Sequence, residues 1–357
     1  MTALISARVA LNREAFSLDV DINIPASGIT VLFGPSGAGK TTLLRSIAGL
    51  ERCSGKISVA GNVWQDATRF LPPHERALGY VFQESSLFEH LSVRGNLEYG
   101  YKRVAPENRI VDFDQAVKLL GLTKLLSRRA TQLSAGERKR AAIARALLCS
   151  PTLLLMDEPL SSLDQLHRKE LMPFLENLRD QLSIPIIYVS HSPDEVARLA
   201  NHLVLIEHGK VLAAGPVNDI LTRLDLPLAH DFDASAIIET QPGEYDSRFD
   251  LTPLDFDGGS LLVPGNIQSN DSSLRVRVLA RDVSLTLERQ SNTSILNILT
   301  ARIVEISADN SAQMLIKLDA NGTIMLARVT RKSATALGLQ PGTHVFAQVK
   351  TVALLSA

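Results

Sequence analysis

Up to about residue 228 the chain alternates short apolar runs with longer segments in which apolar residues recur every three or four positions. ITVLFG, LGYVFQ, TLLLMDE, IPIIYVS and HLVLIEHGKVLAAG have the length and character of buried strands. KTTLLRSIAGL, AGERKRAAIARALL and RKELMPFLENLRDQL carry helical spacing between them. Strands separated by helices in this way predict an α/β core with a largely parallel sheet.

From about residue 229 the helical period fades. LRVRVLARDVSLTLE, ILTARIVEIS, QMLIKLDANGTIMLARVT and HVFAQVKTVALL instead alternate apolar and polar positions, punctuated by DGG, PGN, DANG and QPG. This pattern predicts a small all-β, OB-like ending of one or two barrel modules. We therefore expect three parts: residues 1–228 as the α/β domain, 229–290 as a β-rich connecting segment and 291–357 as a separate β module.

Composition narrows the function classes. The 357 residues leave room for two or three domains, and 37 basic against 38 acidic residues give no global field that would draw in nucleic acid. Cys53 and Cys149 are isolated, which argues against a disulfide framework or a zinc site and fits a reducing compartment. The most apolar long window, AAIARALLCSPTLLLMDEPL, contains Arg145, Asp157 and Glu158, so no transmembrane helix is expected. The first residues lack the build of a secretory signal. Any membrane role is expected to be peripheral, on the cytoplasmic side.

GPSGAGKT, from Gly34 to Thr41, fits G-x-x-x-x-G-K-[ST] between an expected strand and an expected helix. Gly34, Gly37 and Gly39 allow the backbone to curl so that N–H groups converge, and Pro35, Ser36 and Ala38 complete the loop. The following helix adds its positive end, which suits a polyphosphate. Lys40 is expected to reach the β- and γ-phosphates, Thr41 to ligate Mg²⁺, and Thr42 to extend the loop's contacts. ATP and Mg²⁺ are the expected ligands. LLLMDE ends an apolar run in two acids. Asp157 is expected to hold the metal shell, and Glu158 to deprotonate the attacking water.

These motifs and four others resemble the ATP-binding subunits of ABC transporters. LSAGERKRAAIARALL resembles the family signature, with Leu133, Ser134, Ala135, Gly136 and Glu137 as its first five residues. Ala135 and Glu137 stand where glycine and glutamine are commoner. Gln83 in VFQ matches the Q-loop, SSLD with Ser162, Leu163 and Asp164 matches the D-loop, and His191 in VSH matches the switch histidine. The resemblance implies a P-loop NTPase fold with a helical subdomain. It also implies a homodimer in which the signature of one copy caps the ATP bound to the other. His191 would contact the γ-phosphate, and Gln83 would bridge the Mg²⁺ shell to the face that meets integral-membrane permease subunits. Phe16 is the upstream aromatic residue available to stack on adenine.

The tail resembles the small molybdate-binding barrel known as the Mop or TOBE-like module, carried by SNTSILNILTARIVEI and LARVTRKSATALGLQPGTHVFAQVKTVAL. Ser294, Lys332, Ser333 and Ala334 match that family's oxyanion pocket, and Leu296 stands where stand-alone members often carry arginine. The resemblance implies an importer ATPase for molybdate, with tungstate as a further cargo. An external molybdate-binding protein would deliver through the permease, and cytoplasmic molybdate would bind the tail. A sulfate, thiosulfate or ferric-iron importer is the alternative. DNA-repair and translation ATPases of the superfamily would need paired ATPase domains, zinc cysteines or a long heptad insertion, which the sequence lacks.

Overall fold

The computed structural model describes residues 3–13, 16–267 and 274–355. Backbone contacts divide the chain into two compact units, residues 1–215 and 216–357.

The first unit is built on a ten-stranded sheet. Its strands run, across the sheet, Asn62–Gln65, Ser54–Val59, Ala3–Arg13, Phe16–Pro25, Lys210–Pro216, His202–Glu207, Ile29–Phe33, Ile186–Ser190, Leu153–Asp157 and Leu78–Val81. The last four, with His202–Glu207, form the parallel part. Leu153–Asp157 and Ile186–Ser190 are buried at every position, which is why they read as unbroken apolar runs. Phe16–Pro25 instead alternates buried and exposed residues, as an antiparallel strand with one wet face does. Helices Val93–Tyr101 and Phe113–Leu119 pack on Ala135–Leu147 to form the helical subdomain.

Two strand ends frame the phosphate loop. The strand Ile29–Phe33 runs straight into it, and helix Lys40–Ala48 leaves it. The hairpin turn at His208 and Gly209 buttresses it from the side. Gly209 N donates to Ala38 O at 3.1 Å, and Gly209 O accepts from Asp19 N at 2.8 Å. Gly209 has φ +73°, and a Cβ there would lie 1.8 Å from Ser17 O, so only glycine fits.

The second unit holds two five-stranded sheets, Gly259–Pro264, Leu251–Phe256, Ser235–Pro242, Leu274–Leu279, Ala353–Leu354 and Val283–Thr286, His344–Val349, Asn297–Ala308, Gln313–Ala320, Thr323–Thr330. The compact units divide the chain at 215/216, earlier than the expected boundary at residue 228. The unit begins before residue 228 because Asn218 ties the short helix Val217–Leu221 to it: its Oδ1 accepts from Ile237 N at 2.9 Å and its Nδ2 donates to Ile324 O at 3.2 Å. Leu224 and Ala229 are likewise buried with Ala234, Ala280, Leu315 and Leu326. Strand pairing and the buried core continue across residue 290. Ala353–Leu354 pairs with Leu274–Leu279, Val283–Thr286 pairs with His344–Val349, and one buried cluster from Ala236 to Val349 serves both sheets. The expected connecting segment and module share one core.

Gly209→Ala should lower the unfolding free energy by about 2–4 kcal/mol, since the clash and the left-handed backbone add. Gly61→Ala, at φ +79° with open space around it, should cost only about 1 kcal/mol. Urea unfolding of the two variants checks the difference.

Candidate active site

The loop between Phe33 and Lys40 is curled by three left-handed or strained glycines, Gly34, Gly37 and Gly39, at φ +152°, +80° and +101°. At Gly34 a Cβ would sit 2.0 Å from Ile206 O, and at Gly39 it would sit 2.7 Å from Phe16 Cζ. Lys40 is 4% exposed, and its Nζ donates to Gly34 O at 2.8 Å and Pro35 O at 2.9 Å. The cation thus braces the loop from inside. Burial pushes its ammonium below the usual lysine range, against the opposing pull of Glu158 and Asp157.

Thr41, the next residue, donates its hydroxyl to Asp157 Oδ1 at 2.8 Å. Tyr80, from the neighbouring strand, donates to Asp157 Oδ2 at 3.2 Å. Burial raises the Asp157 carboxyl, and the two hydroxyls partly oppose that shift. Among the described residues no lysine or arginine is within ion-pair distance of Asp157, although it is 6% exposed. A buried carboxylate beside a hydroxyl, facing a polyphosphate loop, is an all-oxygen donor set suited to a hard cation such as Mg²⁺. Thr41 and Asp157 therefore fit the metal expected of them.

Glu158 turns out of the strand with φ +41°, a left-handed conformation that non-glycine residues seldom adopt outside constrained sites. Its carbonyl accepts from Ser161 Oγ at 2.9 Å, and its Oε1 lies 3.3 Å from His191 Nδ1. Gln83 Nε2 donates to the same Ser161 hydroxyl at 3.3 Å. Glu158, His191 and Gln83 thus converge on one end of the sheet. A cavity of about 480 Å³ is lined by Phe16, Ser36, Gly37, Gly39, Lys40, Thr41, Thr42, Glu158 and Arg13. Phe16 lies against both this cavity and the core. Gly34, Pro35 and Ala38 stand behind it.

Ser134 caps helix Ala135–Leu147. Its Oγ accepts from Glu137 N at 3.2 Å, and Glu137 Oε2 accepts from Ser134 N at 2.8 Å. The departure at Glu137 therefore completes a capping box. Leu133 is buried below it, while Ala135 and Gly136 form the first turn. Asp164 caps helix Gln165–Gln181 by accepting from His167 N at 2.9 Å; Leu163 is buried and Ser162 is exposed. Within one copy, none of the signature residues Leu133 to Glu137 lines the nucleotide cavity.

The tail residues fall in two places. Ser294 lines a cavity of about 750 Å³ with Leu251, Leu296, Val349 and Lys350. Lys332, Ser333 and Ala334 open the short helix Arg331–Ala336, where Thr330 Oγ1 accepts from Ser333 N at 3.1 Å. They do not line that cavity.

Four residues that this geometry brings in were not singled out from the sequence: Arg13 and Tyr80, which lie in no motif, and Ser161 and Lys139, which lie inside the D-loop and signature segments. Lys139 is 1% exposed, with its Nζ donating to Phe82 O at 3.1 Å and, by a very short bond, to Gln83 O. Burial pushes its ammonium down to about 8. A tyrosine ending a strand next to the carboxylate strand was the one readable signal among them.

A phosphate loop at a strand end, a carboxylate pair at the end of the next strand but one and a detached signature helix together define an ABC-type transport ATPase. Comparison with known proteins agrees: residues 18–161 match the ABC transporter family and residues 293–355 match the TOBE domain. A solved structure, cbiO1 from Clostridium perfringens, described as part of the ABC transporter complex cbiONQ, superposes with TM-score 0.54 at 26% identity, covering 64% of this chain and 97% of its own. The chain is 52% identical to the molybdenum import ATP-binding protein ModC of Aromatoleum aromaticum, over 98% of this chain and 94% of that one. It is 53% identical to that of Thiobacillus denitrificans, over 99% and 98%. The chain belongs to the family of molybdenum import ATP-binding proteins. The sulfate or ferric-iron alternative is not favoured.

Lys40→Met should weaken ATP binding at least about tenfold, since hydrogen bonds to a charged group contribute about 1.5–3 kcal/mol. Equilibrium nucleotide titration, with circular dichroism to verify the fold, checks this.

Proposed function

We propose that the chain is the ATP-hydrolysing subunit of a molybdate importer, sits peripherally on the cytoplasmic face of the inner membrane, and works as an ATP-sandwiched pair of copies. The observation that carries the paired arrangement is the separation of the Ser134 helix cap from the phosphate loop within one chain. The cap, closed within the chain by Glu137, would turn its N–H groups and hydroxyl to the γ-phosphate held by the other copy.

Hydrolysis follows from the convergent groups. The loop amides and Lys40 hold the β- and γ-phosphates, and Phe16 and Arg13 border the adenosine end of the cavity. Glu158 accepts the proton of the water that attacks the γ-phosphorus, and His191, beside Glu158, steadies the phosphate being cut away. Thr41 and Asp157, with Gln83 alongside, would hold Mg²⁺, which supplies positive charge against the phosphate oxygens. Loss of the γ-phosphate removes the charge shared by both copies, so the closed pair loses its advantage and opens. Permease subunits read that opening at the Gln83 face. There Phe88 packs on Tyr99 at 4.6 Å and under Arg145, and Asn96 fixes both backbone groups of Phe88. An external molybdate-binding protein delivers the cargo through the permease, and tungstate shares the route.

The C-terminal unit acts as an oxyanion sensor through Ser294, Lys332, Ser333 and Ala334. Hydroxyls, backbone N–H groups and one cation suit a tetrahedral dianion. Because Ser294 lies apart from the other three in one chain, two copies are the natural way to close the site. Cytoplasmic molybdate then favours one arrangement of the pair and feeds back on transport.

Glu158→Gln should lower ATP hydrolysis about 10²–10³-fold while leaving nucleotide binding intact, as loss of a general base does. Under saturating Mg-ATP this variant should elute as a dimer, and light scattering that shows a monomer would overturn the paired arrangement. For the cargo, membrane vesicles carrying the chain with its permease should accumulate labelled molybdate on ATP addition, undiminished by about tenfold excess sulfate. Competition by sulfate would reverse the cargo assignment.

A further inference from the structure

Lys139 presents a physical puzzle that the hydrolytic site leaves unanswered. It sits five residues into the signature helix, 1% exposed, yet its ammonium has only two backbone carbonyls for partners, those of Phe82 and Gln83. Asp157 and Glu84 act on it through space without bonding to it. Burying a cation without a carboxylate is costly, and an apolar side chain of the same length would stabilise the helix better. Stability alone therefore does not account for a lysine here.

Its partners give the reason. Gln83 is the first residue whose side chain leaves the strand Leu78–Val81 for the active site, and its Nε2 reaches Ser161 Oγ at 3.3 Å. Ser161 in turn donates to the carbonyl of Glu158 at 2.9 Å. On the other side of the same backbone, Phe82 packs on Tyr80 at 4.3 Å, and Tyr80 holds Asp157. A series of contacts runs from the signature helix through Lys139 along two arms, one by Gln83 and Ser161 to the backbone carbonyl of Glu158, the other by Phe82 and Tyr80 to the Asp157 carboxylate.

We infer that Lys139 is a positioning residue that couples engagement of the signature helix to the placement of Gln83, and through Ser161 to the catalytic carboxylate Glu158. When a phosphate docks at Ser134, the helix carries Lys139 with it, and the two carbonyls it grips move as well. The inference rests on the role given to Gln83 above. A connected series of contacts is not itself a demonstration of coupling, so the test is a double-substitution cycle.

The full-length chain, assembled with its membrane subunits, is assayed for steady-state ATP hydrolysis as wild type, K139M, K139Q, Q83A and the paired variants. K139M keeps side-chain length and apolar fit but removes the donors. It should lower kcat at least about tenfold, with KM for ATP within about twofold, the pattern of a lost transition-state interaction. K139Q, which keeps an amide donor, should lose only about threefold. Q83A should be slow on its own, and adding K139M or K139Q to it should change kcat by less than about twofold. Wild-type kcat in K139M, or a paired variant slowed by the product of its two single effects, overturns the role of Lys139. Wild-type kcat in Q83A overturns the reading of Gln83 instead. Should K139M lose its cooperative melting, the K139Q and Q83A/K139Q comparison decides the question.

Discussion

Holding a dense cluster of negative charge is the constraint around which the first unit is arranged. Backbone N–H groups answer it best, because they are fixed dipoles that need no rearrangement when the anion arrives. That choice forces glycine at Gly34 and Gly39, where a Cβ would strike Ile206 O or the Phe16 ring. It also forces the loop to sit at the end of a rigid strand and to be braced from the side by the Gly209 turn. Lys40 fits the same logic, since the carbonyls of Gly34 and Pro35 keep the ammonium satisfied while holding the loop open.

Negative charge of the protein's own must then be admitted close by without repelling the ligand. Asp157 and Glu158 are adjacent yet differently treated. Asp157 is buried, raised by its burial and held by two hydroxyls, so it is poised to be satisfied by a cation. Glu158 leaves the strand in a left-handed turn and keeps a free oxygen toward the cavity. One residue of backbone strain separates the carboxylate proposed to hold the metal from the one proposed to accept the proton.

Much of this was legible in the sequence because the chemistry needs particular residues at particular spacings. The loop, the acid pair, the switch histidine and the buried parallel strands all carry such spacings. Arg13 carries none, and Lys139, although inside the signature segment, acts through contacts with residues distant in sequence. Lys139 in particular reads as an exposed helix position, since charged residues are seldom buried. The domain boundaries were less legible for a related reason. Alternation identifies a strand and its faces but not its neighbour, so nothing local shows that Ala353–Leu354 closes a sheet with Leu274–Leu279 or that Asn218 anchors a helix to Ile237.

The two halves of the chain then share one physical strategy. On the function proposed, the Ser134 cap and the oxyanion set of Ser294 and the Lys332–Ala334 turn would each be completed only by a second copy. A ligand that completes such a site binds only one arrangement of the pair, and it shifts the balance by the difference in its affinity for the two. In the ATPase unit that ligand is destroyed by the site it completes, so the shift is temporary and can be repeated. In the C-terminal unit the ligand survives, so the shift lasts as long as the anion is present. In the proposed scheme the same geometry would yield a motor stroke where the ligand is consumed and a sensor where it is not.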